Sequence, residues 1–269
     1  MNNSWRYLDN GANSASYNMA LDEAIAIAVS RELVPPTLRL YSWDKPSVTL
    51  GYFQRSSTVD VAYCAQRDIP VVRRSTGGRG ILHGDEITYS FSAKTDLGMF
   101  ACNLFDSYEK ISKAFSLAFE RIGIITETKL RRQPSGETEP GNRLRTPLCF
   151  HSISYGEILY QGKKIIGSAQ RRWQDGLLQQ GSIPARIAYD EAALIFRCNS
   201  PKSLHAAMCG LREIVPSLKT EEFRNTLRSA FEEVFAIQFK RATPSTEENR
   251  LAEELEAQKY STHQWNFQR

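Results

Sequence analysis

Short strand-like runs, each closed by a turn signal and set between long amphipathic helices, constrain this chain more than any other feature. Residues 37–41, 47–50 and 69–72 are such runs, punctuated by Lys45-Pro46 and Gly51. Residues 87–92 read ITYSFS: Ile87, Tyr89 and Phe91 alternate with Thr88, Ser90 and Ser92, the pattern of a half-buried strand. Residues 157–160 and 163–166 flank Gln161-Gly162 and predict a hairpin, with a further strand over 177–183. Helical spacing runs over 17–33 through Tyr17, Leu21, Ala24, Ile25, Ala28 and Val29. Ser14 or Ser16 caps that helix, Asp22 and Glu23 sit in early turns where the dipole favours acids, and Pro35-Pro36 ends it. A second amphipathic helix is predicted over 105–122. After Pro184 the chain turns helical, over 189–196, 202–208, 221–235 and 247–260. Strands mixed with a few long helices, without regular β-α-β alternation, predict an α+β fold with a mixed or antiparallel sheet flanked by helices. No repeat or linker divides the chain, so a single domain over 1–269 is expected, with a helical C-terminal part over about 187–269.

Charge and composition exclude several classes of function. The 34 basic and 30 acidic residues leave a net charge of only +4, and no nucleic-acid recognition motif is present, so no nucleic-acid partner is expected. No apolar run approaches the roughly 20 residues of a membrane span. The start, Met1-Asn2-Asn3-Ser4-Trp5, lacks the build of a signal peptide, so the expected location is the cytoplasm. None of the five cysteines forms C-x-x-C and the four histidines are scattered, so no metal site is expected.

Two places carry candidate chemistry. Residues 73–80, RRSTGGRG, form a basic glycine-rich loop that matches neither the P-loop nor the dinucleotide fingerprint. Its glycines allow a backbone to approach a ligand closely. Arg73, Arg74 and Arg79 either pair with phosphate or carboxylate or are solvated arginines around a tight turn. The polar stretch 129–147 has three prolines and two glycines and reads as a long loop. Cys149 follows it, between Arg143 and Arg145 upstream and Lys163 and Lys164 downstream, a setting that favours a thiolate. His151 is a possible base beside it. Simple hairpin register puts Lys164 opposite Leu159, which leaves Cys149 about 30 Å away along a straight strand unless the chain bends.

These stretches together resemble the lipoate-protein ligase and biotin ligase superfamily. The resemblance rests on Asn18-Met19-Ala20-Leu21-Asp22-Glu23-Ala24, on Leu40-Tyr41-Ser42-Trp43 with Pro46, and on Gly51-Tyr52-Phe53-Gln54. It continues through Arg73-Arg74-Ser75-Thr76-Gly77-Gly78-Arg79, Leu82-His83 and Thr88-Tyr89-Ser90 to Gly162-Lys163-Lys164-Ile165-Ile166-Gly167-Ser168-Ala169-Gln170. Arg79 after the double glycine, the following Leu82-His83 and the pair Cys149-Phe150 resemble octanoyltransferases of the LipM type rather than ATP-dependent ligases. Gly80 stands where alanine is commoner in that family.

The resemblance implies a ligase-type catalytic core over about 33–247 and an acyltransferase that needs neither metal nor nucleotide cofactor. It would take octanoyl from an acyl carrier protein to a lysine of a lipoyl-domain protein such as the glycine-cleavage H protein. Cys149 becomes the thioester nucleophile and Lys164 the cation that lowers its pKa. Arg73, Arg74, Ser75, Thr76, Gly77, Gly78, Arg79, His83, Tyr89, Gly167 and Ser168 become the substrate-binding set, with backbone amides of the glycine loop or of Gly167-Ser168 facing the oxyanion. The alternatives are an ATP-dependent lipoate-protein ligase and an octanoyl amidotransferase acting between lipoyl domains.

Overall fold

In the computed structural model, residues 4–96, 98, 100, 103–129, 157–198 and 200–269 are described. In chain order the elements are β1 (Ser4–Asn13), α1 (Ala15–Ser30), β2 (Thr37–Trp43), β3 (Ser47–Leu50), α2 (Val61–Gln66), β4 (Val71–Arg73), β5 (Ile81–His83) and β6 (Glu86–Ala93). There follow α3 (Leu104–Arg121), β7 (Glu127–Lys129), β8 (Glu157–Tyr160), β9 (Lys163–Lys164), β10 (Gly167–Arg172) and β11 (Leu177–Pro184). The remainder is α4 (Tyr189–Ile195), α5 (Pro201–Ala207), α6 (Leu211–Ile214), α7 (Thr220–Phe235), β12 (Gln238–Ala242), α8 (Thr246–Leu255) and α9 (His263–Asn266).

The main sheet has the order β10-β11-β6-β2-β1-β12. It is mixed: β1 runs parallel to β2 and β12, while β2, β6, β11 and β10 pair antiparallel. Two three-stranded sheets, β4-β3-β5 and β7-β8-β9, lie beside it. The hairpin register is as the sequence predicts, with Leu159 opposite Lys164.

Helices cover both faces of the main sheet. On one face Trp5, Leu38, Tyr89 and Phe91 pack against Phe115 and Phe119 of α3 and Phe223, Phe231 and Phe235 of α7. On the other, Leu8, Tyr41 and Trp43 meet α1, Ala252 of α8 and Tyr260. β6 therefore differs from the half-buried strand that its alternation predicts: all eight residues are buried. Its aromatic positions serve one core, and Ser90 points its hydroxyl at α1.

Other differences have physical causes. Ser14 caps α1 by accepting from the Tyr17 amide, but Asp22 and Glu23 do not serve the dipole, because α1 starts too early and both are buried. β1 escapes the sequence pattern because Asp9-Asn10-Gly11 reads as a turn; it is a bulge, with Gly11 at φ 64. The lysine segment does not continue as one strand from 163 to 166: β9 ends at Lys164 and the next strand, β10, begins at Gly167.

Asp22 is a buried hub. Its Oδ1 accepts from Arg39 at 2.6 Å and from the Ser90 hydroxyl at 2.6 Å. Its Oδ2 accepts from the Tyr41 hydroxyl at 2.8 Å and from the Gln180 amide at 2.7 Å. Arg39 and Asp22 have fully buried side chains, so removing one partner leaves the other charge uncompensated. Asp22→Ala is expected to cost about 3–5 kcal/mol in urea unfolding, and the double change Asp22→Leu with Arg39→Met to cost markedly less. Equal losses would show that the charge pair is not the source of the stability.

Candidate active site

The glycine loop is held from inside by its own arginines. Arg73 is fully buried and donates to the carbonyls of Gly51 at 2.8 Å, Tyr52 at 3.2 Å and Gln54 at 2.6 Å. The buried Arg74 donates to the Thr49 hydroxyl at 3.1 Å and to the carbonyls of Gly77 at 2.7 Å and Arg79 at 2.8 Å. Both guanidinium groups are thus buried and used on backbone carbonyls in and around the loop. Arg79 is half-buried.

Thr76 donates its hydroxyl to Gln180 at 2.8 Å, and Gln180 in turn donates to Asp22, so the loop is tied to the buried hub. The Ser75 side chain lies near the Tyr260 hydroxyl. Two glycines are needed for a close approach. A Cβ at Gly51 would lie 1.9 Å from the Gly78 carbonyl oxygen, and Gly78 itself has φ 86. At Gly80 a Cβ would lie 2.4 Å from Cε1 of Phe196, so the glycine lets that ring rest against the backbone.

Of the loop, Arg74 lines a narrow slot of about 20 Å³, together with Gly167, Ser168 and Ala169 of β10 and Gln180 and Gly181 of β11. Met19, Tyr41, Trp43 and Ile81 supply apolar side chains to it, and Arg74 and His83 also line it. Tyr89 is not in the lining; its hydroxyl sits 2.7 Å from the Ser168 hydroxyl and accepts from Gln179 at 2.9 Å, so it supports β10 from behind. A larger cavity of about 300 Å³ shares Ile81 and His83 with the slot and extends to Pro184, Ile187, Ala192 and Met208. That volume lies at the lower end of small-molecule sites.

His83 stands between the two spaces. Its Nδ1 is 2.8 Å from Glu86, its Nε2 is 2.8 Å from the Thr49 hydroxyl, and its ring stacks on Trp43 at 4.0 Å. Burial alone would raise the Glu86 carboxyl, but His83 and hydrogen bonds from His83, Thr88 and Ser182 outweigh it and hold it below the usual range. Nothing in the sequence pattern singles out Glu86 or Thr49, since their roles depend on His83 being brought between them.

Lys164 is buried and its ammonium lies 2.5 Å from Glu157. It does not line the slot. Nor does it line the larger cavity; its backbone bridges to Met208, which does, and its carbonyl accepts from the Cys209 amide at 3.1 Å. The hairpin register holds the missed signal for its partner: Glu157 shares a strand face with Leu159, which is opposite Lys164. Cys149 and His151 lie outside the described residues.

Residues 14–232 match the family model of the lipoyl protein ligase A/B catalytic domain. The chain belongs to this family. It is 34% identical to an octanoyltransferase LipM of Kyrpidia tusciae over 98% of this chain and 99% of that protein. It is 33% identical to the octanoyltransferase LipM of Moorella thermoacetica, with 97% of each chain covered. Among solved structures it resembles lipoate-protein ligase A bound with ATP, with a TM-score of 0.81, 23% identity and 98% of each chain covered. It also resembles a lipoate protein ligase of T. acidophilum with bound lipoic acid, with a TM-score of 0.80, 22% identity, and 99% and 100% of the two chains covered. The expected α+β ligase-type fold is the fold of these structures.

The described cysteines are poor nucleophiles. Burial pushes the Cys64 thiol up to about 11, helped by the Asp60 and Glu191 carboxylates. Burial and Glu213 push Cys209 up to about 11 against the opposing charge of Lys163. Burial also raises Cys198. Thiols with raised pKa are protonated at neutral pH and attack slowly. Iodoacetamide at pH 7 should therefore leave Cys64 and Cys209 unmodified in the native protein and label both after unfolding, as read by peptide mass mapping. Rapid native labelling of either would mean that burial does not suppress them.

Proposed function

We propose that this chain is an octanoyltransferase that moves octanoyl from an acyl carrier protein, through a thioester on Cys149, to a lysine of a lipoyl-domain protein of the glycine-cleavage H type. The observation that supports it from the geometry is a slot lined by Met19, Tyr41, Trp43 and Ile81 against Gly167 and Gly181, adjoining a cavity of about 300 Å³ whose Met208 bridges to the buried, carboxylate-paired Lys164. The near-full-length relatives named octanoyltransferase point to the same acyl group.

The chemistry follows from the residue types. The Cys149 thiolate attacks the donor thioester carbonyl, the carrier thiolate leaves and takes up a proton, and a new thioester forms on the enzyme. The acceptor lysine, as a neutral amine, then attacks that thioester. An amide forms, the amine proton is given up, and Cys149 is released. In each half-reaction an oxyanion develops on the octanoyl carbonyl, and backbone N–H groups of the glycine loop or of Gly167-Ser168 are the donors to meet it. Lys164 is the cation that favours the Cys149 thiolate, and the Glu157 carboxylate keeps that ammonium in place. The scheme uses no metal and no nucleotide.

Incubation with octanoyl-acyl carrier protein should add one octanoyl to the enzyme by intact mass, whereas free octanoate with ATP should not. Cys149→Ala should abolish both this adduct and transfer to a lipoyl domain, while Cys64→Ala and Cys209→Ala should leave both intact. Labelling from octanoate and ATP alone would instead support a ligase, and full transfer by Cys149→Ala would remove the thioester mechanism. In Lys164→Ala, alkylation of Cys149 should need a pH higher by about one unit, equal to about 1.4 kcal/mol of lost charge interaction. An unchanged alkylation profile would rule out the electrostatic role of Lys164.

A further inference from the structure

The segment beyond α8 lies outside the region matched by the family model, which ends at residue 232, yet it closes directly on the glycine loop. β4, which leads into that loop, pairs only with β3 among the described residues, so its other edge presents unpaired backbone groups. At Arg73 both are taken by side chains from this segment. The Arg73 amide donates to Asn266 Oδ1 at 2.9 Å, and the Trp265 indole N–H donates to the Arg73 carbonyl at 2.8 Å. The two side chains thus do for β4 what a neighbouring strand would do.

The Arg73 guanidinium reaches back in return, donating to the Asn266 carbonyl at 3.0 Å and the Trp265 carbonyl at 3.3 Å. Its other hydrogen bonds hold the carbonyls of Gly51, Tyr52 and Gln54, the turn that Gly78 packs against. One residue further into the loop than Arg74, Ser75 meets the Tyr260 hydroxyl. Tyr260 is buried at the end of a π-helical turn, Glu256–Tyr260, and donates to Glu23 of α1 at 2.5 Å. Lys259 pairs with the same carboxylate at 2.6 Å, and Asn266 donates to the Tyr260 carbonyl at 2.9 Å.

We propose that residues 256–266 belong to the active-site scaffold, with Asn266, Trp265 and Tyr260 as positioning residues that hold the entry to the glycine loop. None of the three lines the slot; they act through Arg73 and Ser75. A loop whose backbone must face a developing oxyanion works only if its amides are already in place. The segment supplies that order from the far side of the loop, where the slot itself has no contact. The effect on catalysis rests on the octanoyl-transfer reading above, whereas order in the loop is measurable without any substrate.

The test compares full-length wild type with Asn266→Ala, Asn266→Asp, Trp265→Phe and Glu248→Gln. Trp265→Phe keeps an aromatic ring beside Tyr260 while removing the N–H donor. Asn266→Asp keeps the acceptor for the Arg73 amide. Glu248→Gln weakens the buried Arg6–Glu248 pair at the start of α8 and serves as a control for general destabilisation. By hydrogen exchange with mass detection, amides of residues 73–80 should exchange about tenfold faster or more in Asn266→Ala and Trp265→Phe, the effect of leaving a buried backbone group unpaired. Asn266→Asp should restore most of the protection. In transfer from octanoyl-carrier protein well below the melting temperature, Asn266→Ala should lower kcat by about tenfold, a loss expected for transition-state donors out of place. Glu248→Gln should lower the melting temperature but leave loop exchange and kcat unchanged. Unchanged loop exchange in both Asn266→Ala and Trp265→Phe would overturn the proposal, as would equal loop loosening in Glu248→Gln. An inactive wild type whose loop still loosens on Asn266→Ala would overturn the octanoyl-transfer reading and leave the scaffold standing.

Discussion

Four donors from three strands converge on the carboxylate of Asp22, and the position of the candidate site follows from that convergence. Arg39 and Tyr41 come from β2, Ser90 from β6 and Gln180 from β11, while Asp22 itself rides on α1. In a low-dielectric interior an ionised carboxylate is tolerated only when its lone pairs are filled and a cation is at hand. Here each oxygen accepts two hydrogen bonds, and the Arg39 guanidinium also lies 3.9 Å from the centre of the Tyr41 ring. Helix α1 cannot slide along the sheet without breaking this set. Because Gln180 turns its other end to Thr76, the same constraint reaches the glycine loop.

That loop is therefore held from three directions. Arg74 binds its carbonyls from within, Gln180 holds Thr76 from the sheet, and the segment ending in Asn266 closes the strand that leads into it. Its glycines are there for clearance, most clearly where Gly51 and Gly78 pass with no space for a side chain. The basic, glycine-rich loop is thus fixed by hydrogen bonds on several sides, with its first two arginines facing inward. Rigidity of this kind suits transfer of a neutral acyl group, where the charge to be met appears only on the carbonyl oxygen during reaction.

Electrostatics divides the remaining groups by role. The described thiols, Cys64 and Cys209 buried and Cys198 partly so, all have their pKa raised by burial. His83 is held on both ring nitrogens, by Glu86 and Thr49, and works as a fixed partition between slot and cavity. Lys164 keeps a carboxylate partner at 2.5 Å although its side chain is almost wholly buried. Burying such a pair is seldom a gain in stability over apolar packing.

Much of this was legible in the sequence wherever the signal is local. The helix over 17–33, the strands over 37–50 and 87–92, and the hairpin that sets Lys164 opposite Leu159 depend on spacing, caps and turn residues within a few positions of one another. The motifs from Asn18 to Gln170 likewise carried the family, and they include Met19, Arg74, His83, Gly167, Ser168 and Ala169, which line the slot. What the sequence left open depends on partners far apart in the chain. Whether Arg73 faced solvent or the interior was decided by residues up to 193 positions away, and Asp22 became a hub only when β2, β6 and β11 stacked against α1. β1 and β12 were missed because a bulge and an exposed, polar edge strand hide the alternation that marks a strand. By itself, then, the sequence determined the elements, their order and the chemical types available at the site. Tertiary structure decided which of those groups face each other, because a buried polar atom takes whichever partner packing brings within hydrogen-bond reach, and local spacing holds no record of that choice.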